Sequence, residues 1–507
     1  MKSASRMLLA GIGTCAVALW ASRAEASPLF ELVGDTQGRG GLQARTIASG
    51  ASAAYFNPAL LADTPAQLDV GFVALTQQIG ITVDGRPGPE FDVPSGIENA
   101  THADFKQLDN KPYPTRDLEL GRPGEGVEGF RARPRQAAGT GHDTFYYLAF
   151  GFVIKALKDH FALGMNAMIP TGDFTTINAF FNDEREQYFS NSLHPELYGD
   201  RLTAPSIGFG AAIKVTDDLS LGAGATLSLK AMAGAQAYVA NTSDLGKILI
   251  DMNTPVGVSL APHFGASYTL LDKRLRLSAA AHSPSKMEFG SAFTFGLSTG
   301  VEQASSANFV LNYMPWRASL GAAYDAVHDD GEALTFAGTL LYANWHTYID
   351  RRGEHPSAAY PWADTLSPTL GARYTLGRFS ALLDASYVPT PVPPQTGRKN
   401  YVDNDRVSGA FGGEYAFDVF GSALHVGLQF QTHYLLPRHQ YKLPTPPSPS
   451  GAAGPADLVK DEAPDDAVVS GEPLPGTQGL QTNNPGWPGF ESSGVLLAGS
   501  LYLRAEL

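Results

Sequence analysis

The stretch from Val495 to Leu507 reads VLLAGSLYLRAEL. Leucine or valine recurs on one parity of this stretch, at Val495, Leu497, Leu501, Leu503 and Leu507. The other parity carries side chains with polar groups, namely Ser500, Tyr502, Arg504 and Glu506. Because successive side chains of a strand point to opposite faces, this period of two predicts a long β-strand with one apolar and one polar face.

The same period recurs along most of the chain. Between Leu219 and Lys230, for example, leucine and alanine alternate with serine, glycine and threonine. Most of these runs are longer than the five or six residues typical of strands in soluble proteins. The pattern predicts fourteen strands, at 68–83, 144–156, 160–170, 203–216, 219–237, 254–271, 274–289, 309–324, 333–348, 366–376, 378–388, 405–418, 422–435 and 494–507.

The connections between these strands alternate in length. Short turns follow every second strand, and long connections such as 84–143 and 437–493 follow the others. An even number of strands with short turns on one side and long loops on the other is typical of outer-membrane barrels. An open sheet edge in hydrocarbon would leave backbone groups unpaired, so the strands must close on themselves. We therefore predict an all-β fold, a 14-stranded antiparallel transmembrane β-barrel over residues 67–507.

The N-terminus has the layout of a secretory signal peptide. Lys2 and Arg6 precede an apolar run from Met7 to Trp20, and a small-residue exit follows at Ala24-Glu25-Ala26. The apolar run is shorter than the roughly 20 residues that a transmembrane helix needs. Residues 1–26 are therefore predicted to be removed on export to the bacterial outer membrane.

Composition narrows the function classes further. The net charge of -14 argues against nucleic-acid binding, which needs a basic surface. The mean hydropathy of -0.11 is too low for a helical membrane protein, whereas strands with one polar face account for it. The only cysteine, Cys15, lies in the predicted signal peptide, so we expect neither disulfides nor a thiolate metal site.

Residues 27–66 lack strand alternation and are rich in glycine and alanine. Fourteen strands enclose a lumen too wide for their own side chains to fill. We therefore place this segment inside the barrel as an N-terminal hatch that plugs the lumen.

Residues 84–143 and 437–493 are predicted to be long extracellular loops, and the second has too few large apolar residues to fold alone.

Several short blocks follow one another in the order known from one protein family. They are Gly38-Arg39-Gly40, Ala48-Ser49-Gly50-Ala51, Asn57-Pro58-Ala59-Leu60, Met314-Pro315-Trp316-Arg317, Thr390-Pro391-Val392-Pro393 and Asp403-Asn404-Asp405-Arg406. On these blocks the sequence resembles the FadL/TodX family of outer-membrane transporters of hydrophobic compounds. The resemblance spans most of the chain after the signal peptide and implies a 14-stranded barrel with a hatch. The first outer loop is longer than expected for the family, and the chain ends in Leu507 rather than an aromatic residue.

No pattern in the sequence indicates catalysis. There is no His-Glu-x-x-His motif, no phosphate-binding glycine loop, and no Gly-x-Ser-x-Gly elbow between a strand and a helix. His425 and His433 share the lumen parity of one strand, where polar lining is a simpler interpretation than a metal site. We expect no enzymatic activity, no cofactor and no bound metal.

Passive transport needs an apolar pocket, a few polar groups and a plug that can move. Hatch side chains and an inward aromatic residue are expected to form the pocket, although simple plug packing explains the hatch residues equally well. Inward arginines in family-like blocks could hold a carboxylate through two hydrogen bonds. The candidate ligand-binding residues are Leu29, Phe30, Leu32, Arg317, Trp345 and Arg406.

Two further features concern the hatch and the wall. The turn Asn57-Pro58-Ala59 is predicted to fix where the hatch joins the first strand, because Asn side chains bond to nearby backbone and Pro fixes its own φ. The family also implies a kink in the third strand that opens the wall sideways. Pro170 and Gly172, at the end of that strand, are the candidates for this kink, since proline removes a ladder donor.

The expected function is passive uptake of hydrophobic small molecules, with long-chain fatty acids as the first expectation. Aromatic hydrocarbons taken up by the same route are an alternative. A general porin would need an open lumen, which the hatch would block, and a surface adhesin would rest on the long loops. The expected partners are outer-membrane lipid, a hydrophobic small-molecule ligand and the barrel assembly machinery. The chain is expected to be a monomer.

Overall fold

The structure is a computed structural model of the whole chain, and parts of it can be described residue by residue. The described residues are 28–47, 50–83, 138–139, 143–157, 159–172, 194–195, 197–198, 202, 204–239, 248–253, 256–297, 302–329, 331–350, 353, 355, 361–394, 401–419, 421–441, 468–469, 472–473 and 489–507. The predicted signal peptide and most of both long loops lie outside them.

Fourteen long strands form the wall of the molecule. In chain order they are β1 Gln67–Val83, β2 Asp143–Ala156, β3 Phe161–Pro170, β4 Ser206–Lys214, β5 Leu219–Val239, β6 Val256–Leu270, β7 Leu275–His282, β8 Arg317–Asp329, β9 Glu332–Ala343, β10 Thr365–Leu376, β11 Phe379–Val388, β12 Arg406–Val419, β13 Ser422–Tyr441 and β14 Gly489–Glu506. Each pairs antiparallel with the next, and β14 pairs with β1 from Glu506 opposite Gln67 to Phe490 opposite Val83. The predicted closed 14-stranded antiparallel barrel is confirmed.

The two faces of the strands differ as the alternation predicts. On β14, Leu497 and Leu501 are about half exposed, at 50% and 51%, whereas Tyr502 and Arg504 are buried. Large apolar side chains are exposed in the same way on the outward parity around the wall, for example Leu370 on β10. A band of apolar side chains around a closed barrel fits the hydrocarbon of a bilayer. In the described part of the chain, no helix has the length and apolar composition to span a membrane.

Short turns join the strands at the end where the N-terminal segment enters β1. The chain reverses within a few residues at Leu157, at Leu271–Lys273 and at Gly377, where backbone φ angles are positive. Gly377, with φ of +56°, supplies this conformation without the steric cost that other residues meet. The strand ends from which the long connections leave lie at the opposite end of the barrel, and we call this end the outer end.

In the middle of the chain, three predicted strands differ from the observed ones by five or more residues at one end. The strand expected at 274–289 ends at His282, and the strand expected at 309–324 enters the wall only at Arg317. Between them, Ser285–Leu297 and Glu302–Met314 form an antiparallel hairpin outside the ring of fourteen. Pro284 and Pro315 stand at the two breaks, and proline cannot donate to a strand ladder. The strand expected at 333–348 ends at Ala343, before a 3-10 helix at Trp345–Thr347.

Besides the fourteen wall strands, the described residues form the hairpin and several short strands. The first strand of the hairpin pairs in parallel with β5, Phe289 opposite Ala231, beyond the level where β4 begins. The strand Ile248–Asn253 extends the pairing of β5 with β6 toward the outer end. The remaining two-residue strands are Ala138–Gly139, His194–Pro195, Tyr401–Val402, Val468–Val469 and Glu472–Pro473.

The last long loop is shorter than predicted. β13 continues to Tyr441 and β14 starts at Gly489, so the loop expected at 437–493 spans only 442–488. The residues gained by the strands, such as His439 and Glu491, are polar, so hydrophobic alternation alone did not reveal them.

The N-terminal segment, residues 28–66, lies inside the barrel. It forms the helices α1 Pro28–Val33 and α2 Ala53–Phe56 and a 3-10 helix at Pro58–Ala62. The segment packs directly on glycines of the wall, since a Cβ at Gly222 would overlap the backbone of Ala59 and one at Gly265 would overlap the Asn57 side chain. These glycines allow a closer approach of two backbones than any other residue would.

The opposite flank of the segment is tied to the wall by polar groups. Leu42 N donates to Asp384 Oδ2 at 2.9 Å, and Thr46 Oγ1 lies 2.7 Å from Thr339 Oγ1. On a third side, Gln431 Nε2 donates to Val33 O at 2.7 Å. The described contacts therefore reach the wall on three sides of the segment.

Candidate functional site

A cavity of about 140 Å³ lies between the N-terminal segment and the outer loops, and we refer to it as the lumen cavity. Leu32, Arg317, Trp345 and Arg406, four of the six candidate ligand residues, line it. These residues come from α1, the 3-10 helix after β9, and the outer ends of β8 and β12. The barrel brings them together across more than 370 residues of sequence, as inward parity predicts for the two arginines.

The floor of the lumen cavity is a buried ion cluster. Arg45 Nη2 donates to both carboxylate oxygens of Glu31 at 2.7 Å, and Arg317 Nη1 forms an ion pair with the same carboxylate. Tyr55 Oη donates to Glu31 Oε1 at 2.6 Å and accepts from Arg317 Nη1 at 3.2 Å. Burial raises the pKa of Glu31, but Arg317 and Arg45 outweigh this effect and hold it at about 2.

This cluster carries an excess of positive charge, because one carboxylate faces two guanidinium groups. Arg317 is 1% exposed, and among the described residues its Nε and Nη2 atoms have no hydrogen-bond partner. A buried donor without a partner costs free energy. These donors lie beside the lumen cavity, in a residue that lines it.

A second cation, Arg406, lies on another side of the lumen cavity. Its Nη1 donates to Tyr198 Oη at 3.3 Å, and its guanidinium carbon lies 5.6 Å from the centre of the Tyr198 ring. Within the described ranges, no carboxylate forms an ion pair with Arg406, and its Nε lacks a hydrogen-bond partner. Arg406 is therefore available to an anionic group.

The roof of the lumen cavity is apolar and comes from the outer connections. Tyr313 and Met314, at the end of the hairpin, line it together with Trp345. Trp345 packs against Trp362, with ring centroids 5.7 Å apart, and Trp362 stacks on Tyr348. This aromatic cluster holds the outer connections together in a buried core.

One wall of the lumen cavity consists of hydroxyl-bearing side chains. They project from four neighbouring strands, β9 to β12, and are Thr339, Thr365, Ser367, Thr369, Ser386 and Ser408. The lumen cavity therefore has an apolar roof, a polar wall and positive charge at two places.

The other two candidate ligand residues do not line the lumen cavity. Leu29 and Phe30 are fully buried in the core below it, where the Phe30 ring lies 4.7 Å from that of Tyr55. They point away from the cavity because α1 presents Leu32 and Glu31 to it instead. Plug packing, the alternative weighed for these residues, accounts for them.

Asn57, Pro58 and Ala59 form the start of the 3-10 helix that precedes β1. Asn57 Oδ1 accepts from Ala59 N at 3.2 Å, and its Nδ2 donates to Arg45 O at 3.1 Å. Asn57 thereby links both halves of the N-terminal segment. Pro58 supplies the first position of the helix, where a missing N–H has no cost.

The candidates for the predicted kink, Pro170 and Gly172, lie at the end of β3. β3 ends at Pro170, which lies opposite Tyr147 of β2, and Gly172 follows in an exposed bend. β4 pairs with β3 only as far as Met168 opposite Ser206. The wall is therefore lower here than at β5, which continues to Val239.

Sequence analysis missed Glu31, Arg45 and Tyr198 as site residues. Glu31 and Arg45 lie in a segment without periodicity, so no parity assigned them to the lumen cavity. Inward parity of an arginine does not by itself indicate a ligand site, because Arg373, an inward arginine of β10, forms a buried ion pair with Asp384 at 2.6 Å. His433 bonds to Ser408 Oγ at 2.8 Å, and in the described part no cluster of three metal-ligating side chains occurs.

Comparison with solved structures identifies the fold. The crystal structure of a Pseudomonas aeruginosa FadL homologue matches 96% of this chain and 99% of its own, with a TM-score of 0.53 and 14% sequence identity. The Pseudomonas putida toluene transporter TodX matches at 12% identity over 95% of this chain and 99% of its own, with a TM-score of 0.46. The Ralstonia pickettii toluene transporter TbuX matches at 11% identity over 96% and 99%, with a TM-score of 0.43.

No family model matches the chain. No curated protein matches it either. At 14% identity the FadL homologue shows a shared fold. The resemblance of the sequence to the FadL/TodX family is confirmed at that level. With its closed wall and apolar outer band, the chain is a β-barrel of the bacterial outer membrane.

Proposed function

We propose that this barrel lets hydrophobic small molecules cross the outer membrane passively, with long-chain fatty acids as the principal cargo. The observation that carries the proposal is the lumen cavity, which combines an apolar roof with two cations, Arg317 and Arg406. Among the described residues, the Nε atom of each has no hydrogen-bond partner. Part of an aliphatic chain can pack against the roof, and a carboxylate matches either cation. The solved structures of similar fold are a FadL homologue and two toluene transporters, which supports a hydrophobic cargo.

In this proposal the N-terminal segment, which lies inside the barrel below the lumen cavity and contacts the wall on several sides, moves to let cargo pass. Its helix α1 carries Glu31, the counter-ion of Arg317. A carboxylate that binds Arg317 competes with Glu31 for the same guanidinium. Cargo binding would thus weaken the ion pair between Arg317 and Glu31, one of the contacts that hold the N-terminal segment in place.

Binding of labelled octadecanoate and of toluene to the full chain in lipid nanodiscs tests the proposal. Arg406→Met keeps side-chain length but removes the charge, and it should weaken octadecanoate binding about tenfold while leaving toluene binding unchanged. Arg378→Met, which removes an exposed arginine in the turn after β10, serves as the matched control and should change neither. No binding of octadecanoate to the unmodified chain would contradict the fatty-acid assignment.

Aromatic hydrocarbons are the second candidate cargo, and the size of the lumen cavity favours them. A cavity of about 140 Å³ is close to the size of an engineered apolar cavity, about 150 Å³, that binds benzene. Toluene binding without octadecanoate binding in the same experiment would select this candidate. Swelling of liposomes in small sugars separates both candidates from a general porin, and we expect none.

A further inference from the structure

The hydroxyl wall of the lumen cavity is a continuous row across four strands. Thr339 lies opposite Thr369, Thr369 opposite Ser386, and Ser386 opposite Ser408 in the strand pairing. Side chains directly opposite each other on neighbouring strands lie about 5 Å apart. The row therefore presents a hydroxyl at every strand along this side of the cavity.

These hydroxyls differ in how far the protein itself satisfies them. Thr369 Oγ1 lies 2.8 Å from Ser386 Oγ, and Ser408 Oγ lies 2.8 Å from His433 Nδ1. Thr365 and Ser367 lie on the same face of β10, toward its outer end, and both are about 5% exposed. Among the described residues no group forms a hydrogen bond with either hydroxyl, although both line the lumen cavity.

The positions of the two cations add a second argument. Arg317 and Arg406 lie on β8 and β12, four strand spacings apart, which corresponds to about 19 Å along the wall. Thr365 and Ser367 lie on β10, between them. A carboxylate at one end of a cargo molecule can engage one arginine only, and a plain hydrocarbon chain would cover the hydroxyls of β10 without bonding to them. Covering a polar group in this way is unfavourable.

We propose that the preferred cargo is an oxygenated amphiphile, with a hydrocarbon body, an anionic end and at least one hydroxyl or carbonyl oxygen along the body. The anionic end binds Arg317 or Arg406. The oxygen along the body bonds to the hydroxyls of Thr365 and Ser367. The opposite side of the body packs under the apolar roof of Tyr313, Met314 and Trp345. This inference rests on the proposed function and specifies its substrate class.

A pair of acids that differ by one oxygen tests the inference. The full chain in nanodiscs is titrated with octadecanoate and with 12-hydroxyoctadecanoate, and the hydroxylated acid should bind about tenfold more tightly, as one good hydrogen bond in a dry site provides. The double variant Thr365→Val, Ser367→Ala should bind the two acids equally. Ser220→Ala, which removes a buried lumen hydroxyl of β5 away from the cavity, is the matched control and should keep the preference.

The outcomes separate this inference from the proposed function. Equal binding of the two acids to the unmodified chain overturns the oxygenated cargo and leaves the fatty-acid channel standing. Binding of neither acid overturns both. A preference that survives the double variant overturns the assignment to Thr365 and Ser367. The single variant Ser367→Ala removes one oxygen atom without other change, and it should reduce the preference to about threefold even if the double variant does not fold.

Discussion

At the residue scale, Glu31 decides how much positive charge the lumen cavity offers. Its carboxylate accepts from Arg45 and Tyr55 and pairs with Arg317, and these contacts keep it ionised at any pH of biological interest. A buried carboxylate with two cationic partners offsets the charge of only one of them. The remaining charge is what an anionic cargo would neutralise.

Replacing Glu31 by glutamine removes that counter-ion and leaves two buried cations. We expect Glu31→Gln to raise the affinity for octadecanoate about tenfold, because the ligand carboxylate no longer competes with a protein carboxylate for the charge of Arg45 and Arg317. Binding of uncharged octadecanol should change little. Calorimetric titration in nanodiscs measures both, with Glu506→Gln, a half-exposed lumen carboxyl on β14, as control. An equal gain for acid and alcohol would show that charge is not the cause.

We expect Asp403 to make the stability of the outer connections depend on pH. It is buried between β11 and β12, where Thr390 Oγ1 donates to its Oδ2 at 2.6 Å. Burial raises the pKa of Asp403 to about 6, against the opposing effect of Arg406 and Arg438. A carboxyl whose folded pKa is raised stabilises the fold least when ionised, so stability should fall as pH rises from about 4 to about 6.

Hydrogen exchange of residues 401–405 measures this effect. Exchange corrected for intrinsic rates should be at least about tenfold faster at pH 7 than at pH 4.5, and Asp403→Asn should abolish the difference. Asp364→Asn, at an exposed carboxyl in the same outer region, should leave it intact. A pH dependence that persists in Asp403→Asn would assign the titration to another group.

At the scale of elements, the sequence predicts the strands of the barrel wall better than it predicts the contacts of the N-terminal segment inside the barrel. Strands such as β14 have a two-residue period along their whole length, so their faces could be assigned before the structure. The hairpin at 285–314 shares that period but leaves the ring at Pro284 and Pro315, a change of direction that alternation cannot indicate. The N-terminal segment has no period, so its position could be predicted from the size of the lumen, but contacts such as Arg45 to Glu31 could not.

The contact between the N-terminal segment and the glycines of the wall makes a test of docking at this scale. Gly222→Ala on β5 places a methyl group where the backbone of Ala59 lies, so the segment must shift. We expect a cost of roughly 1–3 kcal/mol in docking, and therefore leakage of small sugars into liposomes, while the barrel remains folded.

Gly338→Ala provides the matched control, because a Cβ at Gly338 meets only ordinary contacts, the nearest being Leu370 Cδ2 at 3.4 Å. It should cause no leakage. Equal leakage in both variants, or in neither, would contradict the close packing of the N-terminal segment on β5.

At the scale of the whole molecule, the barrel and the N-terminal segment have separate tasks. The wall is closed by antiparallel pairing all the way round, from β1 to β14 and back, and needs no contribution from the lumen to satisfy its backbone. The N-terminal segment is held by side-chain contacts such as Thr46 to Thr339 and by packing on glycines. It can therefore move without opening the wall, which passive conduction of cargo requires.

A reversible lock on the N-terminal segment tests this account most directly. Thr46 Oγ1 and Thr339 Oγ1 lie 2.7 Å apart, so cysteines at both positions place two sulfur atoms within reach of a disulfide. The only cysteine of the sequence is Cys15, in the predicted signal peptide, and does not compete. Uptake of labelled octadecanoate into proteoliposomes should stop when the Thr46→Cys, Thr339→Cys chain is oxidised and return on reduction, whereas Thr46→Cys alone should respond to neither. Undiminished uptake by the oxidised chain would contradict passage through the lumen past the N-terminal segment.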